Sequence, residues 1–255
     1  MNDPLIFNIA MGHTKPENIR HTHVACPFCD VHNLKNILAK DGHIIWLMNK
    51  YPVLENTWPT VIIENDDCFS EFSTYPALMA EHVLDFSLEK WKETMERPEF
   101  ESVLYFKNYG PMSGGSIRHP HSQIIGLYDY DYRQDIKPIH FEGSLIKSES
   151  HLTLTLSNHP IIGFFEFNFQ FDEKTDIKLL SRRLQQVVRY LLTDFSSYTT
   201  SYNLFFYNLQ SGIYYAKIVP RYVTSPLYVG YKVSQVSNEE RIEQIKAELL
   251  SKFLV

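Results

Sequence analysis

The sequence predicts an α+β fold made of two similar halves. Three observations carry this. The order helix, strand, loop, strand occurs twice along the 255 residues. Two stretches of the second half repeat apolar residues at helical spacing, so helices are interspersed among the strands. The chain is also rich in aromatic residues, with 17 Phe and 16 Tyr, which suit a pleated, half-buried surface.

The elements follow in order. The apolar run after His43 predicts a strand over 43–48, and a second lies at 60–64. A strand is expected at 75–80, followed by a helix at 87–97. Ser87 is placed as its N-cap, and Leu88, Trp91 and Met95 fall on one face. Strands are expected at 102–108 and 121–128. Residues 129–137 are polar and form a linker, and the stretch to about 150 carries no clear signal. The second half should have strands at 152–157 and 163–171. Ile177, Leu180, Leu184, Val187, Val188, Leu191 and Phe195 then share a helix face. Strands at 202–207 and 213–219 and a helix at 238–253 complete the chain. In that last helix Ile242, Ile245, Leu249 and Phe253 recur at one-face spacing. The boundary between halves is placed at 135/136, giving units of 1–135 and 136–255.

Composition narrows the function. At 44% hydrophobic and 21% charged, the chain is an ordinary globular protein. A net charge of -6 without a basic run argues against a nucleic-acid binder. No apolar run is long enough to span a bilayer, so no membrane partner is expected. The N-terminus has no basic segment leading into an apolar stretch. Three cysteines do not make a disulfide framework. The cytosol is the expected location.

The chemistry concentrates in FKNYGPMSGGSIRHPHSQIIG, Phe106 to Gly126. A loop rich in small residues runs into a strand. Alternation would place His119, His121 and Gln123 on one side of it. Imidazole is nucleophilic near neutral pH and can attack phosphorus. Backbone N–H groups beside glycines can hold phosphate oxygens. Gly110, Gly114 and Gly115 could instead serve only a hairpin turn. Separately, Cys26-Pro27-Phe28-Cys29 is a C-x-x-C. It fits half of a zinc site, a redox pair or two incidental thiols. No thioredoxin-like unit surrounds it.

The run Phe106, Asn108, Gly110, Ser116, then His119-Pro120-His121-Ser122-Gln123, resembles the galactose-1-phosphate uridylyltransferase family of the histidine-triad superfamily. The resemblance implies a HIT-like fold of two tandem units, with a largely antiparallel sheet and helices packed on it. The two sheets could join edge to edge. It implies a nucleotidyltransferase in which His121 attacks an α-phosphate and carries the nucleotidyl group. Gln123 would bond the phosphoryl oxygen, and Asn108, Gly114, Gly115 and Ser116 would bind the nucleotide phosphates. Asn49, in Asn49-Lys50-Tyr51-Pro52, would lie near the base or ribose. An amide cannot donate a leaving-group proton as a third histidine could, so Gln123 favours transfer over hydrolysis.

The same resemblance implies one structural zinc on Cys26, Cys29, His119 and a further histidine. His82 is placed in that third position, with His21 and His23 as rivals. The echo of VLYFKNYG…HPHSQII in LFFYNLQSGIYYAKIVP sets His121 against Tyr215 and Gln123 against Lys217. The second unit is therefore expected to be catalytically degenerate. Its late strand has no histidine, so no second metal is expected. Lys217 and Arg221, with Ser225 and Tyr228, are candidates for holding a phosphorylated acceptor, alone or with the partner subunit of a homodimer. The leading reaction moves a nucleoside monophosphate between a nucleotide sugar and a sugar 1-phosphate. The alternatives are a phosphorylase of a dinucleoside polyphosphate or ADP-sugar, and a non-catalytic nucleotide-binding protein.

Overall fold

The structure is a computed structural model describing residues 3–210 and 212–255. Contacts divide the chain into two compact units. One runs up to Glu71 and from His82 to Asp135, the other from Phe72 to Glu81 and from Ile136 to Val255.

The first unit begins with the short helix α1 (Ile9–Thr14), capped by the Asn8 side chain, which accepts from the Met11 N–H at 2.9 Å. Its strands are β1 (Ile37–Asp41), β2 (Ile44–Met48), β3 (Thr57–Ile63), β4 (Ser102–Tyr109) and β5 (His121–Leu127). They lie in the order β1-β2-β3-β5-β4, with antiparallel neighbours. β5 is therefore flanked on both sides. Ile63 faces His121 and Val61 faces Gln123 across one edge, and Phe106 faces Gln123 across the other. Directly opposed residues share a sheet face. One face of the unit thus carries His121, Gln123, Val61 and Ile63, and the other carries Ser122, Ile124 and Tyr105.

The second face is covered by helix α2 (Ala77–Met95). Its Trp91 is fully buried, donates to the Val103 carbonyl at 3.1 Å and packs on Tyr105. Of the expected strand at 75–80, residues 77–80 are instead the start of this helix. Ala77, Leu78, Met79, Ala80 and Glu81 are strong helix formers behind Pro76, and Pro is tolerated at a helix start. Ser87 is not a cap: its hydroxyl donates to the Val83 carbonyl at 2.7 Å, one turn back.

The second unit repeats the plan. Its strands are β6 (Gly143–Glu149), β7 (Leu152–Ser157), β8 (Phe167–Asp172), β9 (Tyr202–Gln210) and β10 (Ile213–Pro220). Their order is β9-β10-β8-β7-β6, again antiparallel. Reversed, this is the order of the first unit, strand for strand. Helix α3 (Ile177–Tyr190) lies between β8 and β9, as α2 lies between β3 and β4. It is capped by Asp176, buries Leu180, Leu184, Val187 and Val188, and continues as a π-turn through Phe195. Helices α4 (Pro226–Tyr231) and α5 (Glu239–Lys252) follow, and Ser225 and Asn238 cap them. The α+β class and the repeated units are as the sequence predicts. No helix among the described residues is long and apolar enough to cross a membrane.

Candidate active site and metal centre

The face of β5 that points away from α2 opens into a cavity of about 560 Å³. Asn49, Asn108, Gly114, Gly115, Ser116, His121 and Gln123 all line it. These are the residues that the sequence proposes for catalysis and nucleotide binding, and the fold brings every one of them to a single cavity.

His121 is buried, and its orientation is fixed by one bond. Its Nδ1 lies 2.7 Å from the His119 carbonyl oxygen. A carbonyl only accepts, so Nδ1 carries the proton and Nε2 keeps its lone pair. Nε2 has no protein partner among the described residues. Burial, with the nearby Lys107 ammonium adding to it, pushes the imidazole down to about 4. The ring is thus neutral at physiological pH, as a nucleophile requires.

The loop before β5 is built for close backbone approach. Gly110 and Gly114 have φ of 83° and 85°, a region that favours glycine. Ser113 braces the turn: its hydroxyl donates to the Gly110 carbonyl at 2.7 Å and accepts from the Gly115 N–H at 3.2 Å. The N-terminal segment pins the far side. Buried Asn18 donates its N–H to the Ser116 carbonyl at 2.9 Å, and its Oδ1 accepts from the Arg118 N–H at 2.7 Å. On the cavity face, Phe28 packs with Leu34 over Ile45, Leu47, Val61 and Ile63. Its ring stands edge-on to His121 at 5.3 Å. Asn49 accepts from the Tyr51 N–H at 2.9 Å through its Oδ1, in a tight turn.

Behind β5 lies a buried ion pair. Lys107 Nζ sits 2.8 Å from both carboxylate oxygens of Glu64 and 3.5 Å from the His121 carbonyl oxygen. The Glu64 N–H donates to the Pro120 carbonyl at 3.2 Å. The pair ties the strands on both sides of β5 together at the level of His121.

His119 precedes β5, so strand alternation does not apply to it, and it is not among the residues that line the cavity. Its Nε2 donates to the Asn65 carbonyl at 2.7 Å, which leaves the Nδ1 lone pair facing Cys26 Sγ at 3.6 Å and Cys29 Sγ at 3.5 Å. Cys68 completes the group. The ligand atoms of Cys26, Cys29, Cys68 and His119 all lie within 4.8 Å of one another. Burial, then Cys26 and Cys68, push the Cys29 thiol up to about 12. Three crowded thiols and one oriented imidazole are a donor set that a soft divalent cation fits. The His119 Nε2–H bond to Asn65 fixes the tautomer, as ligating histidines require.

This corrects the third ligand. His82 is outside the cluster: it sits on α2, with Nε2 2.7 Å from an Asp41 carboxylate oxygen at the surface. His21 is exposed beside Glu17, and His23 is exposed as well. Cys68 is delivered instead by the turn after β3. There the Asn65 Oδ1 accepts from the Asp67 N–H, and the Asp67 Oδ1 accepts from the Phe69 N–H.

A second correction concerns Lys217. It is fully buried in the second unit. Its ammonium donates to Glu166 at 2.6 Å, Asn168 at 2.7 Å and the His140 carbonyl at 2.9 Å. All three donors are spent, so none is left for an acceptor. Arg221 donates to the Asn203 Oδ1 at 2.6 Å and does not line the cavity. Ser225 is the cap of α4.

Comparison with known proteins gives the family and the fold. The family described as "Domain of unknown function (DUF4931)" matches over nearly the whole chain, its N-terminal domain at residues 7–130 and its C-terminal domain at 133–254. The chain belongs to this family. A crystal structure of a DUF4931 family protein from Bacillus cereus is 44% identical, with a TM-score of 0.77, covering 86% of this chain and 100% of that one. Two more distant structures share the fold. A GalT-like protein from Arabidopsis thaliana has 16% identity and a TM-score of 0.69, covering 89% of this chain and 92% of its own. An ADP-glucose phosphorylase from the same plant, with bound ADP-glucose, has 15% identity and a TM-score of 0.70, covering 92% and 90%. The DUF4931 chain thus shares its fold with these GalT-like and phosphorylase structures. No curated protein matches the chain.

Proposed function

We propose that this DUF4931 protein is a nucleotidyltransferase working through a covalent nucleotidyl-His121 intermediate. One observation carries the reading: the proton-free Nε2 of a buried, neutral His121 stands at a cavity lined by Gln123 and the glycine loop. Nε2 would form a bond to the α-phosphorus of a nucleoside diphosphate compound as the P–O bond to the departing group breaks. The ring then becomes cationic, and the His119 carbonyl that holds Nδ1–H stabilises it. Gln123 and the loop amides would hold the phosphoryl oxygens. An acceptor oxygen attacks phosphorus in the second step, and the electron pair returns to Nε2. The acceptor is a sugar 1-phosphate in the transferase form of this chemistry and inorganic phosphate in the phosphorylase form.

Cys26, Cys29, Cys68 and His119 would hold one zinc ion. Four protein ligands leave no open position, so its role would be structural. It would tie the C-x-x-C turn and the loop after β3 to the residue two places before His121. The N-terminal unit, 1–135, holds this machinery, and 136–255 is its degenerate repeat.

The test is incubation with radiolabelled UDP-glucose, ADP-glucose or diadenosine tetraphosphate, followed by assay for acid-labile label on the protein. Label that is lost in His121→Gly is expected. Binding without any labelling would favour a non-catalytic nucleotide-binding protein.

A further inference from the structure

Transfer through His121 creates a charge that neither His121 nor Gln123 can meet. When Nε2 bonds to phosphorus, the electron pair of the broken P–O bond stays on the departing oxygen. For a nucleoside diphosphate compound the departing group is itself a phosphate. It leaves as a dianion and needs no proton, which is consistent with Gln123 having none to give. It does need a cation. Lys217 cannot serve, since its three donors are held by Glu166, Asn168 and the His140 carbonyl.

The cavity supplies its own cations. Lys15, Lys35 and Lys50 line it, against a single carboxylate, Asp30. Asp30 is engaged, accepting from Asn33 Nδ2 at 2.8 Å. This local excess of positive charge sits in a chain of net charge -6. Lys35 and Lys50 are exposed, whereas Lys15 is half-buried. Among the described residues, the Lys15 ammonium has no carboxylate or hydrogen-bond partner. Burial alone lowers its pKa, as expected of a cation held without its counter-charge. Its backbone is fixed on both sides. The Lys15 N–H closes the end of α1 on the Gly12 carbonyl at 3.3 Å, and Pro16 follows.

Given nucleotidyl transfer through His121, we infer that Lys15 binds the phosphate that departs from the reacting phosphorus, and in the second step the phosphate of the acceptor. The site would then require a phosphate on both sides of the exchange, either a phosphate monoester or inorganic phosphate.

The experiment uses the full chain and measures single-turnover labelling of His121. Two donors of the same nucleoside monophosphate are compared. One is whichever of UDP-glucose, ADP-glucose or diadenosine tetraphosphate labels the wild type. The other is the 4-nitrophenyl ester, whose leaving group carries no phosphate. Lys15→Met should slow labelling from the first by about 10²-fold and leave the nitrophenyl ester near wild type. Lys15→Arg should recover most of the loss. Discharge of the label by inorganic phosphate or by galactose 1-phosphate distinguishes the two acceptor sources, and Lys15→Met should raise the KM of whichever works. Equal slowing with both donors would overturn the inference, because Lys15 would then act on the transferred nucleotide or on folding. Unchanged labelling with both donors would overturn it as well. A wild type that no donor labels would instead sink the His121 reading, and the role of Lys15 with it.

Discussion

In the first unit β4 and β5 are joined by the stretch from Gly110 to Pro120, which carries the glycine loop and His119. In the second unit, β9 ends at Gln210 and β10 begins at Ile213, with Gly212 in a tight turn. The strand orders are the same, so this connection and what covers the open sheet face make the difference. In the first unit that face looks into the cavity across His121 and Gln123. In the second, Phe141 stacks on Tyr215 at 4.4 Å, and Lys217 lies beneath it, bonded to Glu166. The ring covers this face of the second unit. Among the described residues each unit buries one Lys–Glu pair, but only Lys107–Glu64 braces a strand whose open face lines the cavity. One topology thus frames an open cavity in one copy and plain packing in the other, according to a loop and a few side chains.

The largest expected effect lies in the metal cluster, which the second unit's described residues do not reproduce. Protein purified without chelator should hold about one zinc per chain. Cys68→Ser should lose it, along with several kcal/mol of stability. Elemental analysis with thermal unfolding checks both, and full metal content in Cys68→Ser would break the assignment.

Next come the two buried pairs. Lys107→Met and Lys217→Met each strand a buried carboxylate, at a cost of about 3–5 kcal/mol. Urea unfolding should show similar losses. Labelling of His121 should slow in Lys107→Met alone, because its ammonium sits 3.5 Å from the His121 carbonyl. Equal slowing in Lys217→Met would mean that the second unit takes part in the chemistry.

Glycine changes sharpen the contrast further. Gly114 and Gly212 both have positive φ, 85° and 76°, with open space at a Cβ. Alanine at either should cost about 1–2 kcal/mol in backbone strain. Only Gly114→Ala should also raise the donor KM in labelling assays. The smallest effect belongs to His82→Ala. It removes a surface pair with Asp41, worth at most about 1 kcal/mol, and should leave the metal content unchanged.

Much of the fold is legible in the sequence because local pattern and tertiary role coincide. β7 alternates Leu152, Leu154 and Leu156 with polar neighbours, and α5 has its Asn238 cap and its apolar spacing. The cavity residues could be named because most of them lie in one contiguous run. Other features depend on distant partners. Cys68 stands alone, far from any second cysteine, and only the turn at Asn65 and Asp67 brings it to His119. Lys217 looks like a free cation in sequence, and its fate is set by Glu166 and Asn168, which come from the segment leading into β8 and from β8 itself. The sequence places the start of α2 late because Ser87 imitates a cap, while its first turns, exposed at Ala77 and Leu78, lack the apolar spacing of the rest. β1 has a largely exposed pattern, and β6 is only partly buried, so neither carries the alternation that identifies a strand.

The central claim is that His121 carries the transferred group. The most direct test is to map the acid-labile label by peptide mass spectrometry, after brief reaction of the wild type with each nucleoside diphosphate donor. The account predicts a single nucleotidyl group on the peptide containing His121, absent from His121→Gly although that variant still folds and binds metal. Label on any other residue, or label at wild-type level in His121→Gly, would contradict it.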